Sequence, residues 1–181
     1  MTLTSARLAR GFTLVELLTV VTIVGVLSTT AIVLVGRHVR ASRTVEAVSM
    51  VQSIRAAEER YHAENRAYLS VSTTLTDYQP VTNPDGTRRS FYTGSGPKDA
   101  RWRMLGPTVT GPVRFGYAVL AGSSDTQMAA PSTSSQPVWP VPTQDWYVVQ
   151  ASSGDPDNDG KTCYVVGSSL SGEVYVENEG E

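Results

Sequence analysis

The chain has 181 residues, with 15 lysines and arginines against 17 aspartates and glutamates, and one cysteine. That length suits one membrane-anchored element and one modest soluble domain, and a lone cysteine excludes an intrachain disulfide. Charge is unevenly spread: residues 72–181 carry seven basic and twelve acidic side chains, a balance that disfavours non-specific nucleic-acid binding and favours solubility.

A short polar leader with Arg7 and Arg10 ends at Gly11. Phe12 then opens a nearly unbroken apolar run of 24 residues to Val35, whose one ionisable side chain is Glu16. At ~1.5 Å per residue, a helix of that length spans a bilayer. A secretory signal peptide is the rival reading, but its apolar core is about 7–15 residues and ends at small residues. Here the run is longer and holds an acid near its start. Charge counting does not orient the span, because Arg37, Arg40 and Arg43 follow it as Arg7 and Arg10 precede it.

Glu16 needs a reason, since a carboxylate in a membrane helix is costly and marks function or a partner. One reading has it snorkel to the interface one turn away. The other starts from a cut after Gly11, which gives Phe12 a free amine. Glu16 lies four residues on, on the same helical face, and can pair with that amine or with a neighbouring copy's.

The leader, Gly11, Phe12-Thr13-Leu14, Glu16, and the apolar run with Gly25 and Ala31-Ile32 together resemble the N-terminus of a type IV pilin or type II secretion pseudopilin precursor. The resemblance implies cleavage between Gly11 and Phe12 by prepilin peptidase on the cytoplasmic side, and N-methylation of Phe12. It puts Glu16 at the family's assembly glutamate. It implies a single-pass precursor in the bacterial inner membrane with a cytoplasmic N-terminus, partnered by other subunits and the inner-membrane assembly machinery. The mature form would stand in a pilus or a periplasmic pseudopilus. Val33 stands where many relatives have a helix-kinking proline.

Beyond Val35 the helical pattern continues to about Ala67. Ala47, Met50, Val51, Ile54, Ala57 and Tyr61 recur at spacings of three and four and form one apolar stripe. Arg55–Glu59 and Arg60–Glu64 are spaced to pair weakly on other faces. A helix from Phe12 to Ala67 is on the order of 80 Å long, more than a small domain can bury. Tyr61 and Tyr68 read as aromatics between helix and head, and His62 as a surface histidine.

Residues 70–112 read as irregular, with turn signals at Asn83-Pro84-Asp85-Gly86 and Gly94-Ser95-Gly96-Pro97. A short helix is expected over Lys98–Leu105, with Trp102 and Leu105 inward. Strands are expected at Val113–Leu120, Trp146–Ala151, Thr162–Gly167 and Glu173–Val176, each rich in Val, Tyr, Trp or Phe. Between the first two lies a Ser/Thr/Pro/Gln-rich loop, 121–144, expected to be exposed, with Trp139 anchoring one end. Cys163 reads as a buried strand residue. The fold class is therefore α+β: a long N-terminal membrane-spanning helix packed against a small antiparallel β-sheet head that buries one face. The expected divisions are a leader at 1–11, the membrane half of the helix at 12–35, its amphipathic half at 36–70, and the head at 71–181.

Asp155, Asp157 and Asp159, with Gly160 behind them, fall at positions 1, 3, 5 and 6 of a calcium loop. Position 12 is Val166 rather than Glu, so the pattern is incomplete. The competing reading is an acidic hairpin turn closed by Asp159-Gly160. Three carboxylates without a cation repel one another, which favours Ca²⁺. The strand and turn around this loop also resemble the final hairpin of major pseudopilins, where calcium binds near the end of the sheet. Arg88-Arg89 and Arg101-Trp102-Arg103 have the makings of a nucleic-acid patch, but the acidic head weighs against it. No Ser/His/Asp, Cys/His, phosphate-loop or zinc pattern is present, so the chain reads as a substrate of an enzyme rather than as one. Three functions compete: a minor pilin of a type IV pilus, a pseudopilin of a type II secretion system, and a membrane-tethered calcium-dependent binding module. Glu16 and the Gly11-Phe12 junction argue against the third.

Overall fold

The structure is a computed structural model that describes residues 12–133, 139, 141–155 and 160–179, and the backbone alone for 32–34 and 36–41. Helix α1 runs Leu14–Asn65. Val33 keeps the amide that a proline would remove, and the helix is unbroken there. It stops two residues short of the expected end, where Arg66 takes a left-handed φ of 60 and its N–H bonds the His62 carbonyl at 2.8 Å.

The chain divides between His38 and Val39 into two compact units. In the first, every described side chain from Phe12 to Ala31 is exposed. The window Leu14–Ala31 has a mean hydropathy of 1.9 and is long and apolar enough to cross a membrane.

The second unit holds helix α2, Pro97–Leu105, and strands β1 Gly116–Gly122, β2 Trp146–Ser152, β3 Tyr164–Ser168 and β4 Val174–Glu177. The strands form an antiparallel meander in the order β1-β2-β3-β4. Each strand begins within three residues of its expected start. On the inner face, Val119, Val149, Gly167 and Val174 lie in one cross-strand row, and Tyr117, Ala151, Val165 and Val176 in the next. The helix stripe covers these rows. Ala47, Met50, Val51, Ile54 and Ala57 are all buried, and burying a side chain such as Val51 or Ile54 contributes about 2 kcal/mol. Trp102 and Leu105 of α2 close the core, both fully buried. Pro97 fits the first position of α2, and Gly106 ends it in the left-handed region.

The middle strands of the sheet, β2 and most of β3, are buried on both faces rather than one. Trp146, Val148 and Val166 make a second apolar cluster on the outer face with Leu75 and Met128, against which Trp139 packs. The described part of the long loop between β1 and β2 is therefore not exposed throughout, as expected, but dips into the head at single residues. Met128 and Thr133 are buried, because Gln150 on the outer face accepts the Ser132 N–H at 2.7 Å. The same amide donates to the Leu75 carbonyl and the Tyr78 hydroxyl. The segment expected to be irregular also makes isolated bridges, Gln79–Tyr117 on β1 and Arg89–Val113 just ahead of it.

Neither helix arginine takes the expected i+4 carboxylate. Arg55 donates to the carbonyls of Ser171 and Gly172 at 2.7 and 3.0 Å, pinning the β3–β4 turn. Arg60 donates to the carbonyls of Leu105 and Gly106, where its charge meets the negative end of α2. Fixed, converging carbonyls hold a planar guanidinium better than one mobile carboxylate in water does. Cys163 is buried one residue before β3, with burial pushing its thiol up.

Gly154 is the tightest backbone approach in the head. It pairs with Asp85 at a φ of 68, and a Cβ there would run into the Pro84 carbonyl. Gly154→Ala should cost about 2 kcal/mol through strained φ and overlap together. Urea unfolding followed by tryptophan fluorescence checks this; an unchanged midpoint would show that the turn relaxes freely.

Candidate functional site

The N-terminal segment begins with a helix cap. Thr13 precedes α1, and its hydroxyl accepts the Glu16 N–H at 3.2 Å, so Thr13-Leu14-Val15-Glu16 has the order of a capping box. Glu16 lies in the first turn, where the positive end of the helix dipole favours an acid. Phe12, just ahead, is 73% exposed. Gly11 lies outside the described residues, so the Gly11-Phe12 junction is seen from one side.

Behind Glu16 the remaining polar side chains are satisfied within the helix. The hydroxyls of Thr19, Thr22 and Ser28 donate to carbonyls four residues back at 2.7–2.8 Å. Those of Thr29 and Thr30 donate to the carbonyls of Val26 and Leu27. Such back-bonding lets a hydroxyl enter an apolar medium without a partner from outside. The Glu16 carboxylate is the exception that chemistry must still account for. A helix apolar on all sides and exposed along its length is built for lipid or for other apolar helices.

At the Asp-rich turn, Asp155 follows Gly154, and its carboxylate accepts the Gly160 N–H at 3.0 Å. That bond closes the loop at its base, as either a metal loop or an acidic turn requires. Asp157 and Asp159 lie outside the described residues. Among the described residues no group of three His, Cys, Asp or Glu stands ready for a metal.

Three arginines of the basic clusters are engaged within the head. Arg88 pairs with Glu46 at 3.5 Å and Arg89 with Asp85 at 2.7 Å. Arg103 lies over the Tyr92 ring at 4.7 Å. Trp102 is fully buried, so the ring that would stack on a base belongs to the core.

The end of α1 carries a cluster that the sequence reading passed over. Glu58 is fully buried. One of its oxygens accepts the Leu69 N–H at 2.9 Å, while the other is buried without a partner among the described residues. Burial holds its pKa up at about 8, against an ordinary value of 4.5, with Glu59 adding to the rise. Glu59 accepts the Tyr147 hydroxyl at 3.0 Å and the Tyr68 hydroxyl at 3.3 Å. Burial, then Glu59, pushes Tyr68 up to about 12. Tyr68 meets the Tyr147 ring edge-on and stacks on half-buried His62 at 4.3 Å. A signal was available: Glu58 is seven residues after Val51 and four after Ile54, in phase with the stripe.

Comparison with known families finds the prokaryotic N-terminal methylation motif at residues 6–32. No curated protein and no solved structure matches the chain. The motif implies processing by prepilin peptidase and assembly with other pilin subunits, and its family is structural rather than catalytic. With the apolar helix it fits a membrane-anchored precursor. A chain that carries this motif, continues it as an apolar helix and ends in an α+β head fits a type IV pilin-like protein, of the pilin or pseudopilin type.

Proposed function

We propose that the chain is a minor structural subunit of a type IV pilus, cut between Gly11 and Phe12, methylated at Phe12, and assembled through its apolar helix. The observation that carries this reading is the methylation motif at residues 6–32 leading into a fully exposed apolar helix with Glu16 in its first turn. In this reading the precursor is single-pass in the inner membrane with its leader in the cytoplasm. Copies or relatives pack their helices together, and the Phe12 amine pairs with Glu16. A buried carboxylate without such a partner costs several kcal/mol, about 3–5 by the precedent of broken buried pairs.

A second reading, the type II secretion pseudopilin, is favoured by the Asp155 turn if it takes Ca²⁺ through Asp155, Asp157 and Asp159. Recovery of the protein in sheared surface filaments supports the pilus; confinement to the periplasm supports the pseudopilus.

Mature protein should begin at Phe12 and carry a methylated amine, read by N-terminal sequencing and mass spectrometry. A start between residues 28 and 40 would mean ordinary signal-peptidase cleavage and end the filament reading.

Glu16→Ala should leave membrane insertion intact and deplete the protein from filaments, accumulating it in the inner membrane. Normal incorporation of the variant, measured by immunoblot of sheared filaments, would remove the pairing.

Calcium is the third test. A cation bound only by the folded turn raises the melting temperature in proportion to the logarithm of its excess over Kd. The detergent-solubilised chain should melt higher in millimolar calcium than in chelator, and magnesium should substitute poorly. Asp157→Ala should abolish the difference. Identical melting in calcium and chelator would make the loop an acidic turn only.

A further inference from the structure

The segment that leaves α1 turns back along the sheet, and it is fastened at both ends of its first stretch. At Leu69 the fastening is the Glu58 carboxyl. At Ser72 and Gln79 it is the edge of β1: the Ser72 N–H bonds the Val119 carbonyl at 3.0 Å, and Gln79 and Tyr117 exchange two bonds at 2.8 and 2.9 Å. Residues 66–79 are thus the cover of one edge of the sheet. An uncovered edge presents unpaired amides and carbonyls to any other strand.

We propose that Glu58 is a proton-operated latch: its neutral carboxyl holds residues 66–79 against α1 at Leu69, and loss of its proton favours lifting of that segment from the β1 edge. The geometry argues for it in three ways. The carboxyl is fully buried, so its anion has no water. Its one hydrogen bond, from the Leu69 N–H, by itself favours the anion, but burial outweighs it, and the other oxygen has no partner among the described residues. Among the described residues no cation answers it: Arg55, one turn earlier, directs its guanidinium to Ser171 and Gly172, and Arg60 directs its own to Leu105 and Gly106. The one neighbouring charge that acts on it, Glu59, opposes its ionisation. Glu59, next on the helix, adds to the rise, while Tyr68 in the covering segment stays neutral throughout the range in which Glu58 titrates. Tyr147, from β2, reaches the same cluster through Glu59. Asp145, ahead of β2, acts on Tyr68.

The direction with pH follows from linkage. With the segment lifted, Glu58 on α1 meets water and returns to the ordinary carboxylate range; in the closed form it holds its proton to about 8. The advantage of the closed form is complete below that ordinary range. It is lost as pH rises toward about 8, and beyond that it changes no further. Each pH unit in that window is about a tenfold change in the opening equilibrium.

Amide hydrogen exchange on the full chain in detergent micelles tests this. After correction for intrinsic base catalysis, the protection of Leu69 and Ser72 should fall about tenfold per pH unit between about 5 and 8, then level off. Both should exchange at least about tenfold faster than Val149 of β2 at pH 8, marking a local opening. Glu58→Gln keeps the acceptor for Leu69 and cannot ionise, so its protection should be flat with pH. Glu59→Gln, which removes a neighbouring charge but keeps an acceptor for Tyr147, should end the slope at lower pH. The latch is wrong if Leu69 tracks Val149 at every pH, if Glu58→Gln keeps the wild-type slope, or if Glu59→Gln leaves its end point in place. Should Glu58→Gln fail to fold, the wild-type comparison with Val149 and the Glu59→Gln shift still decide.

Discussion

The head depends on how closely the second half of α1 approaches the inner face of the sheet. At Gly167 a Cβ would stand 3.0 Å from Val51 Cγ1 and 2.9 Å from Arg55 Cδ. The missing side chain on β3 is what lets the helix bring Ala47, Val51 and Ile54 onto two rows of strand residues without a gap. Close packing of this kind supplies dispersion contacts that a looser interface forfeits. The other parts of the head follow from that contact. Once the helix lies there, its arginines reach two separate carbonyl pairs, one at the β3–β4 turn and one at the end of α2. One helix thereby ties both a hairpin and a second helix.

The absence of a disulfide is answered by polar side chains used as ties. Gln79 donates to the Phe91 carbonyl and to Asp99, joining the β1 cover to the approach and first turn of α2. Lys98 reaches Asp77 and the Tyr78 carbonyl at 2.7 Å each. These groups are partly or fully buried, where a satisfied polar group is worth keeping and an orphaned one is costly. The apolar half of α1 obeys the same rule by other means, with its hydroxyls turned onto its own backbone.

Much of this was legible in the sequence because it rests on local repetition. A stripe at spacings of three and four gave Ala47 through Ala57, and runs of Val, Tyr and Trp placed the strands to within a few residues. The glycine before Phe12 and the acid at Glu16 marked the N-terminal segment. What escaped notice depends on partners far apart in the chain. Arg55 and Arg60 have carboxylates at helical spacing, but carbonyls 45 and more residues away compete better. The loop after β1 looks polar and open, yet Met128 and Gln150 fold it down. Glu58 was in phase with the stripe, and an acid there was silent because charge is usually assigned to the solvent side. Thr13 was part of a recognised motif, and its capping role was hidden behind that recognition.

Gln150 joins pieces that the chain order keeps apart. Its one amide group holds Ser132 from the loop between β1 and β2, and Leu75 and Tyr78 from the segment after α1. Detaching either piece leaves the other with a tie half undone and a buried amide short of partners. The two coverings of the outer face are therefore not separate surface loops that fray at their own rates. They are coupled through a residue at the middle of the sheet rather than at its rim.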